Sequence, residues 1–418
     1  MKRRFQRYAG FLGCLLAFWA ASCRPILGLD EETPNRTRDA GPVGPPPRWW
    51  IEKDAGCEIE APPARGDFQE TDAGPQSSTD EPIYFALTQL RIGSVDDEYK
   101  EYPSGDPSAP WQNIGFDLDG QCESPCEATS VSGCPNVLDG KGCRDNAIGQ
   151  LIYNAQTVIP DLKEERLNCE LLLGGYNVIL KVSGYNGKPD DRSVRVDIYP
   201  ALSVGREDKL DIAPCPSDTR WRNYASRWKS NEHWLVAHDA VTASVEQPAG
   251  TFDLPDSIWR SADAFVRGWY LVATFDRAEF WLNGQRNIPG FRIKLSSAVS
   301  VGWLAKRQGR WHLSQATLGG RTTVEDMLDS FEELGVTEEQ CLGGHRLTKL
   351  NLTYSRDLSA ETGSCEDPGA ALSFGLSFEA EQTLGGRLTD EAPRRGTWPL
   401  GELCGDGGAV SADADASQ

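Results

Sequence analysis

Residues 115–122 read GFDLDGQC and residues 144–159 read RDNAIGQLIYNAQTVI, and the loop between them carries Cys126, Cys134 and Cys143. Alternating aspartates, glycines that accept positive φ and a helical apolar pattern follow one another here, which is typical of a rigid, locally cross-linked structure. We call residues 115–159 the knot. The sequence predicts that the rest of the fold is arranged around it.

Two interpretations of the knot's aspartates are open at this stage. In the first, Asp145 caps the helix that follows it, while Asp117 and Asp119 accept hydrogen bonds from loop amides. In the second, Asp117, Asp119 and Asp139 converge on a hard cation such as Ca2+, which prefers carboxylate oxygens. The spacing does not fit an EF-hand loop, whose first and last ligands are missing here. Structural Ca2+ is thus the one cofactor that the sequence suggests, and none is required.

The chain has 12 cysteines, of which Cys14 and Cys23 belong to the N-terminal segment discussed below. The remaining ten are an even number, which in an oxidising compartment predicts up to five disulfides. The knot cysteines are expected to pair among themselves or with Cys169, with the connectivity open. The disulfide candidates are Cys57, Cys122, Cys126, Cys134, Cys143, Cys169, Cys215, Cys341, Cys365 and Cys404.

The first 22 residues have the layout of a secretory signal: four basic residues, an apolar run from Phe11 to Ala21 and small residues at its end. Cys23 follows directly, and Ala20-Ala21-Ser22-Cys23 resembles a bacterial lipobox. We therefore expect export, acylation of Cys23 and lipid anchoring at the outer membrane or cell surface. Ordinary cleavage that leaves Cys23 without lipid is the alternative.

The formal charge of −20 predicts repulsion from phosphate backbones, so nucleic acid is not an expected partner. The stretch 23–80 is rich in proline, glycine and acidic residues and is predicted to be the lipidated N-terminus and a flexible stalk. Beyond it we expect a β lobe at 81–215 with the knot and one helix, an antiparallel β lobe at 216–404 with one helix, and a disordered tail at 405–418.

Apolar residues alternate with polar ones in several segments, among them 194–199, 291–303 and 372–378, which predicts antiparallel strands. Two helices are expected, one after Asp145 and one over 322–335 with Thr322 and Glu325 as a capping box. The predicted fold class is mainly β (α+β): a large antiparallel, sandwich-like sheet structure with two packed helices, rich in disulfides.

No catalytic motif is evident in the sequence. A cluster of aromatic residues offers a surface on which a sugar could stack. Its members are Trp221, Tyr224, Trp228 and Trp234. Core packing is the competing interpretation of these residues.

The motifs GFDLDGQC, DGKGCRDNAIGQL and YNVILKVSGYNGKPDD, in that order, resemble a group of uncharacterised exported lipoproteins of deltaproteobacterial type. The resemblance covers about residues 83–380, and it implies a shared fold and surface location. Lys181 stands where the group usually has arginine. The group has no assigned activity.

We therefore expect an outer-membrane-anchored surface lipoprotein that acts as a non-catalytic binding or adhesion module. Its partners would be the membrane, through the anchor, and a polysaccharide or another surface protein. The alternative is a secreted hydrolase or a sugar-binding protein acting on envelope polysaccharide, with the hydrolase using a carboxylate pair.

Overall fold

The computed structural model describes residues 51–54, 57–60, 65, 81–93, 109–120, 139–155, 164–205, 226, 228–242, 247, 250–282, 291–339, 341–359 and 369–390. All of them belong to the second of two units into which the chain divides, Gly41–Gln418. The predicted signal 1–22, the acylation site Cys23, most of the stalk and the tail 405–418 lie outside the described residues.

The secondary structure of this part is mainly strand. The strands are β1 Ile51–Asp54, β2 Cys57–Glu60, β3 Ile83–Arg91, β4 Asn177–Ser183, β5 Asp191–Val204, β6 Trp234–Ala237, β7 Trp259–Arg267, β8 Tyr270–Leu282, β9 Phe291–Arg307, β10 Arg310–Thr322, β11 Leu372–Thr383 and β12 Gly386–Thr389. The helices are α1 Ala147–Ala155, α2 Glu164–Leu173, α3 Val324–Glu333 and α4 Leu342–Tyr354. β1 and β2 form a separate antiparallel pair.

Eight strands close into an antiparallel barrel. Their order around the barrel is β3, β4, β5, β7, β8, β9, β10, β11, and β11 pairs back with β3. Strand β6 extends the sheet beside β5, and β12 pairs with β6 in parallel. Strands from both sides of residue 215 thus belong to one barrel.

The predicted sandwich-like architecture is wrong, because β5 pairs with β7 as well as with β4 and so closes the ring. The antiparallel pairing of the eight barrel strands is confirmed. Alternation of apolar and polar residues indicates that a strand buries one of its two faces. Strands do so in a sandwich and in a barrel alike, so the alternation does not distinguish the two folds. Closure depends on strand tilt and stagger, which this alternation does not encode.

The barrel interior is a packed apolar core. All eight strands contribute side chains to one continuous cluster, which also includes residues of the four helices. Phe280 of β8 and Phe374 of β11 lie on strands that are not neighbours, and their ring centroids are 5.5 Å apart. An eight-stranded barrel is just wide enough for side chains to fill it in this way.

The two ends of the barrel differ. At one end, two-residue turns at Gly268-Trp269 and Gln308-Gly309 join neighbouring strands, and both residues of each turn have positive φ. This is the type I′ geometry that suits the twist of a hairpin. The helices α1 to α4 lie in the longer connections at the opposite end, where α1 contacts β11, α2 contacts β3 and α3 contacts β9. The knot belongs to this helical end.

The capping box of α3 lies one residue later than predicted. Thr323, rather than Thr322, is the N-cap, and its Oγ1 accepts a hydrogen bond from the backbone N–H of Asp326 at 3.0 Å. The apolar residues Met327 and Leu328 are buried as the helical pattern predicts.

The disulfide-rich part of the predicted fold class is not confirmed, because no two cysteines within the described ranges are bonded to each other. Cys143, Cys169 and Cys341 are disulfide-bonded cysteines, and Cys143 and Cys169 do not form a pair with each other. The side chain of Cys57 and the residues Cys122, Cys126, Cys134, Cys215, Cys365 and Cys404 lie outside what the structure describes.

Among the helices that the structure describes, none is long and apolar enough to cross a membrane.

Candidate metal centre

The knot is held against the barrel by close backbone contacts. Gly115 has a φ of 117°, and a Cβ atom at Gly375 of β11 would lie only 2.9 Å from its Cα atom. The backbone N–H of Asp145 donates to the carbonyl of Phe116 at 2.9 Å, which joins the two halves of the knot. Glycine at these positions lets the loop 115–120 lie directly on the strand.

Asn146, and not Asp145, caps helix α1. Its Oδ1 accepts a hydrogen bond from the N–H of Gly149 at 3.0 Å, three residues on, as an N-cap does. The same oxygen accepts from the N–H of Gly375 at 2.8 Å. This corrects the first interpretation of the knot, because Asp145 is left available for another role.

Three aspartates of the knot converge. One carboxylate oxygen from each of Asp117, Asp119 and Asp145 lies within 4.8 Å of the others. Asp117 and Asp119 are half-buried, whereas Asp145 is 1% exposed. Asp117 also accepts a hydrogen bond from the N–H of Gly120 at 2.6 Å, as the first interpretation predicts for this residue. Carboxylates from the loop 115–120 and from the residue two positions before helix α1 thus lie close together.

Two further buried aspartates adjoin this group. Asp139, 1% exposed, lies within hydrogen-bonding reach of Asp145. Asp357, also 1% exposed, is close enough for its charge to act on both Asp139 and Asp145. We call Asp117, Asp119, Asp139, Asp145 and Asp357 the aspartate cluster.

Asp357 reaches the cluster from a distant part of the chain. It follows α4, and its Oδ1 accepts a hydrogen bond from the N–H of Ser373 in β11 at 2.8 Å. Its Oδ2 accepts from the hydroxyl of Ser373. That hydroxyl oxygen accepts in turn from the N–H of Ala147 at 2.8 Å, at the start of α1. The first turn of α1, β11 and the segment after α4 are therefore joined at the cluster.

Burial and mutual repulsion raise the pKa values of these groups. Burial, with the charges of Asp357 and Asp119, raises the pKa of Asp145 to about 10. Burial, with the charges of Asp119 and Asp357, raises the pKa of Asp139 to about 8. Burial raises the pKa of Asp357 to about 7 against the lowering effect of its hydrogen bonds with Ser373. Burial also raises the pKa of Asp117. Carboxyl groups so placed become fully ionised at neutral pH only if a cation offsets their charge.

Asp145 contributes a buried carboxylate oxygen that lacks a hydrogen-bond donor among the described residues. Oδ2 of Asp145 accepts from the N–H of Leu118 at 2.6 Å, whereas Oδ1 is buried and no described residue donates to it. A buried polar atom without a partner costs about 1–3 kcal/mol. A cation among the carboxylates would remove that cost.

The sequence identified part of this site. Asp117 and Asp119 converge as the cation interpretation predicts, but the third converging carboxylate is Asp145, with Asp139 beside it. The prediction that Asp145 caps the helix is wrong by one residue, and Asn146, which is an equally good N-cap, is the residue that caps it. No local signal marks Asp357, which is distant in sequence.

The aromatic residues proposed as a ligand surface do not form one within the described residues. Trp228 and Trp234 are 4% and 0% exposed, and their ring centroids are 5.5 Å apart in the core between the barrel wall and β6. Trp221 and Tyr224 lie outside the described residues.

No family model, curated protein or solved structure matches this chain. The resemblance to exported lipoproteins therefore stays a prediction from the motifs that carry it.

Proposed function

We propose that this protein is an exported, lipid-anchored binding module of the outer membrane, non-catalytic, whose aspartate cluster holds a Ca2+-class cation. The observation that supports the cation site is the convergence of Asp117, Asp119 and Asp145 next to two further buried carboxyl groups. The anchor rests on the signal segment and on Cys23.

The donor set favours calcium over other metals. The converging atoms are all carboxylate oxygens, and the described cluster contributes no histidine or thiolate. Ca2+ takes six to eight oxygen ligands at about 2.3–2.6 Å and tolerates irregular geometry. Mg2+ needs nearly ideal octahedral geometry, and zinc sites usually include nitrogen or sulfur. Calcium therefore fits this cluster best. Its carboxylates come from the loop 115–120, from the residues just before α1 and from the segment after α4.

The spacing of the carboxylates argues against a glycosidase at this position. Retaining glycosidases separate their two carboxyl groups by roughly 5–5.5 Å and inverting ones by about 6.5–9.5 Å. Asp139 and Asp145 are within hydrogen-bonding reach, and the oxygens of Asp117, Asp119 and Asp145 lie within 4.8 Å of one another. Asp139 and Asp145 are therefore too close to enclose a sugar linkage between them.

A polysaccharide fits as a class of binding partner for a different reason. Asp117 and Asp119 are half-buried and Gly120 is exposed, so the cluster is open to solvent on the side of the loop. Hydroxyl oxygens of a sugar could complete the coordination of a cation there, since Ca2+ also accepts neutral oxygen ligands. This supports a sugar-binding module more than a sugar-cleaving one.

Titration with Ca2+ is expected to show one saturable site in the chelator-treated protein. The variant Asp119→Asn should bind at least about tenfold more weakly, because it removes one charged ligand from a site of few ligands. Asp276→Asn is the matched control: Asp276 is exposed on β8, so its loss should leave the affinity unchanged. Isothermal titration calorimetry measures both values. Equal binding by wild type and Asp119→Asn would contradict a site at the cluster.

Labelling with radioactive palmitate in a bacterial host that processes lipoproteins tests the anchor. The wild-type protein should carry label and Cys23→Ala should not, because acylation requires the thiol at the end of the signal. Cys14→Ala is the matched control and should be labelled like the wild type, since Cys14 lies within the segment that is removed. Label on Cys23→Ala would refute the anchor.

A further inference from the structure

Helix α4 exposes apolar side chains on one face. Of the large hydrophobic residues that are exposed in the described part of the chain, most belong to this helix. Leu347, Leu350 and Tyr354 are 55%, 49% and 61% exposed. Their spacing of three and four residues places them on one stripe of the helix. Leu342, at the start of the helix, is 47% exposed.

The opposite face of α4 holds the helix on the protein. Gly344, His345 and Leu352 are buried, and Nε2 of His345 lies 3.0 Å from Oε1 of Glu332 on α3. A surface helix normally turns its apolar stripe toward the core and its polar residues toward water. α4 does the reverse with most of its leucines, so its outer stripe does not serve the core.

The charges on α4 indicate the chemistry of what covers the stripe. Arg346 and Lys349 are on the helix beside it, and the helix contains no acidic residue. This contrasts with the chain as a whole, in which 62 acidic residues face 42 basic ones. Leucines and a tyrosine flanked by basic residues are typical of helices that lie in the interface of an anionic lipid surface.

A second copy of the chain fits this surface less well. A helix of 13 residues is about 20 Å long and offers far less than the roughly 800 Å2 per partner that a stable complex buries.

We propose that the outer face of α4 docks on an anionic phospholipid surface. Leu347, Leu350 and Tyr354 enter the headgroup region, while Arg346 and Lys349 contact lipid phosphates. The contact is separate from the cation site and from the acyl anchor, and it holds the protein against the membrane through α4.

Hydrogen–deuterium exchange on the full acylated chain tests this contact. The protein is reconstituted in vesicles of phosphatidylcholine alone or of phosphatidylcholine with phosphatidylglycerol. Amides of 342–354 should exchange about tenfold more slowly on the anionic vesicles, because lipid contact stabilises the closed helix by about the transfer free energy of one leucine. Added salt should weaken the effect.

Two variants distinguish lipid contact from self-association of the chain. The double variant Leu347→Ser, Leu350→Ser should lose the slowing on anionic vesicles while keeping the melting temperature, since both side chains are exposed in the free protein. Leu384→Ser is the matched control, because Leu384 is 39% exposed outside α4, and it should retain the slowing. Equal exchange on both vesicle types would overturn the proposal. So would slowing without vesicles that grows with protein concentration, which would indicate a second copy.

Discussion

Removing divalent cations is expected to lower the melting temperature of the wild-type protein by several degrees. A cation that binds only the folded state stabilises it by RT ln(1 + [L]/Kd), about 2.7 kcal/mol at 100 times Kd. For a barrel of this size, 1 kcal/mol corresponds to roughly 2–4 °C. Calorimetry with Ca2+ and with excess chelator measures the difference.

The variant Asp145→Asn tests whether the effect of chelator on the melting temperature arises at the aspartate cluster. The amide oxygen can still accept the hydrogen bond from Leu118, but the variant lacks the buried charge that a cation needs. Its melting temperature should not respond to chelator. Without cations at neutral pH it should stay close to that of the wild type, because Asp145, with a pKa of about 10, carries no charge there. Asp276→Asn should respond like the wild type. A wild-type melting temperature that ignores chelator would leave hydrogen bonding as the whole role of these aspartates.

The cation-free protein is expected to lose stability as the pH rises from about 5 to about 9. The folded-state pKa values of Asp357, Asp139 and Asp145 are about 7, 8 and 10, above the value of about 4 for an unfolded aspartate. At pH values between the unfolded and the folded pKa values, the folded state binds more protons than the unfolded state. The free energy of unfolding therefore falls as the pH rises. The contribution of these groups is fully present below about pH 4 and is lost as the pH rises through the folded pKa values.

Thermal unfolding at a series of pH values in chelator measures this slope. Saturating Ca2+ should flatten it, because the cation replaces the protons on the carboxylates. The net charge of the chain also grows with pH, so the informative quantity is the difference between the wild type and the double variant Asp139→Asn, Asp145→Asn. A wild-type curve parallel to that of the double variant would show that these groups do not titrate as the structure indicates.

The sequence predicted the local elements better than their assembly. The strands around Val196, Ile293 and Phe374 follow from period-two alternation, and helix α1 follows from its helical patterning. Closure between β5 and β7 could not be predicted, because it depends on stagger summed over eight strands.

In the candidate site, too, the residues that a local pattern marks could be predicted, and those that only the assembled fold brings together could not. Asp117 and Asp119 were found because residues two apart in an extended segment share a side. Asp145 was misassigned by one position, since aspartate and asparagine are equally good N-caps and the sequence offers both in succession. Asp357 joins the cluster through Ser373 only after β11 has taken its place in the barrel, so no short-range pattern could reveal it.

The pairing of β3 with β11 determines when this barrel can be completed. Tyr84 lies opposite Thr383, so the first and last barrel strands are neighbours although almost the whole domain separates them in the chain. Until β11 has been synthesised, β3 and β10 each present an unpaired edge, and such edges invite aggregation. Closing so distant a contact carries an entropy cost that slows folding. The nascent chain therefore depends on protection of these two edges for as long as β11 is still missing.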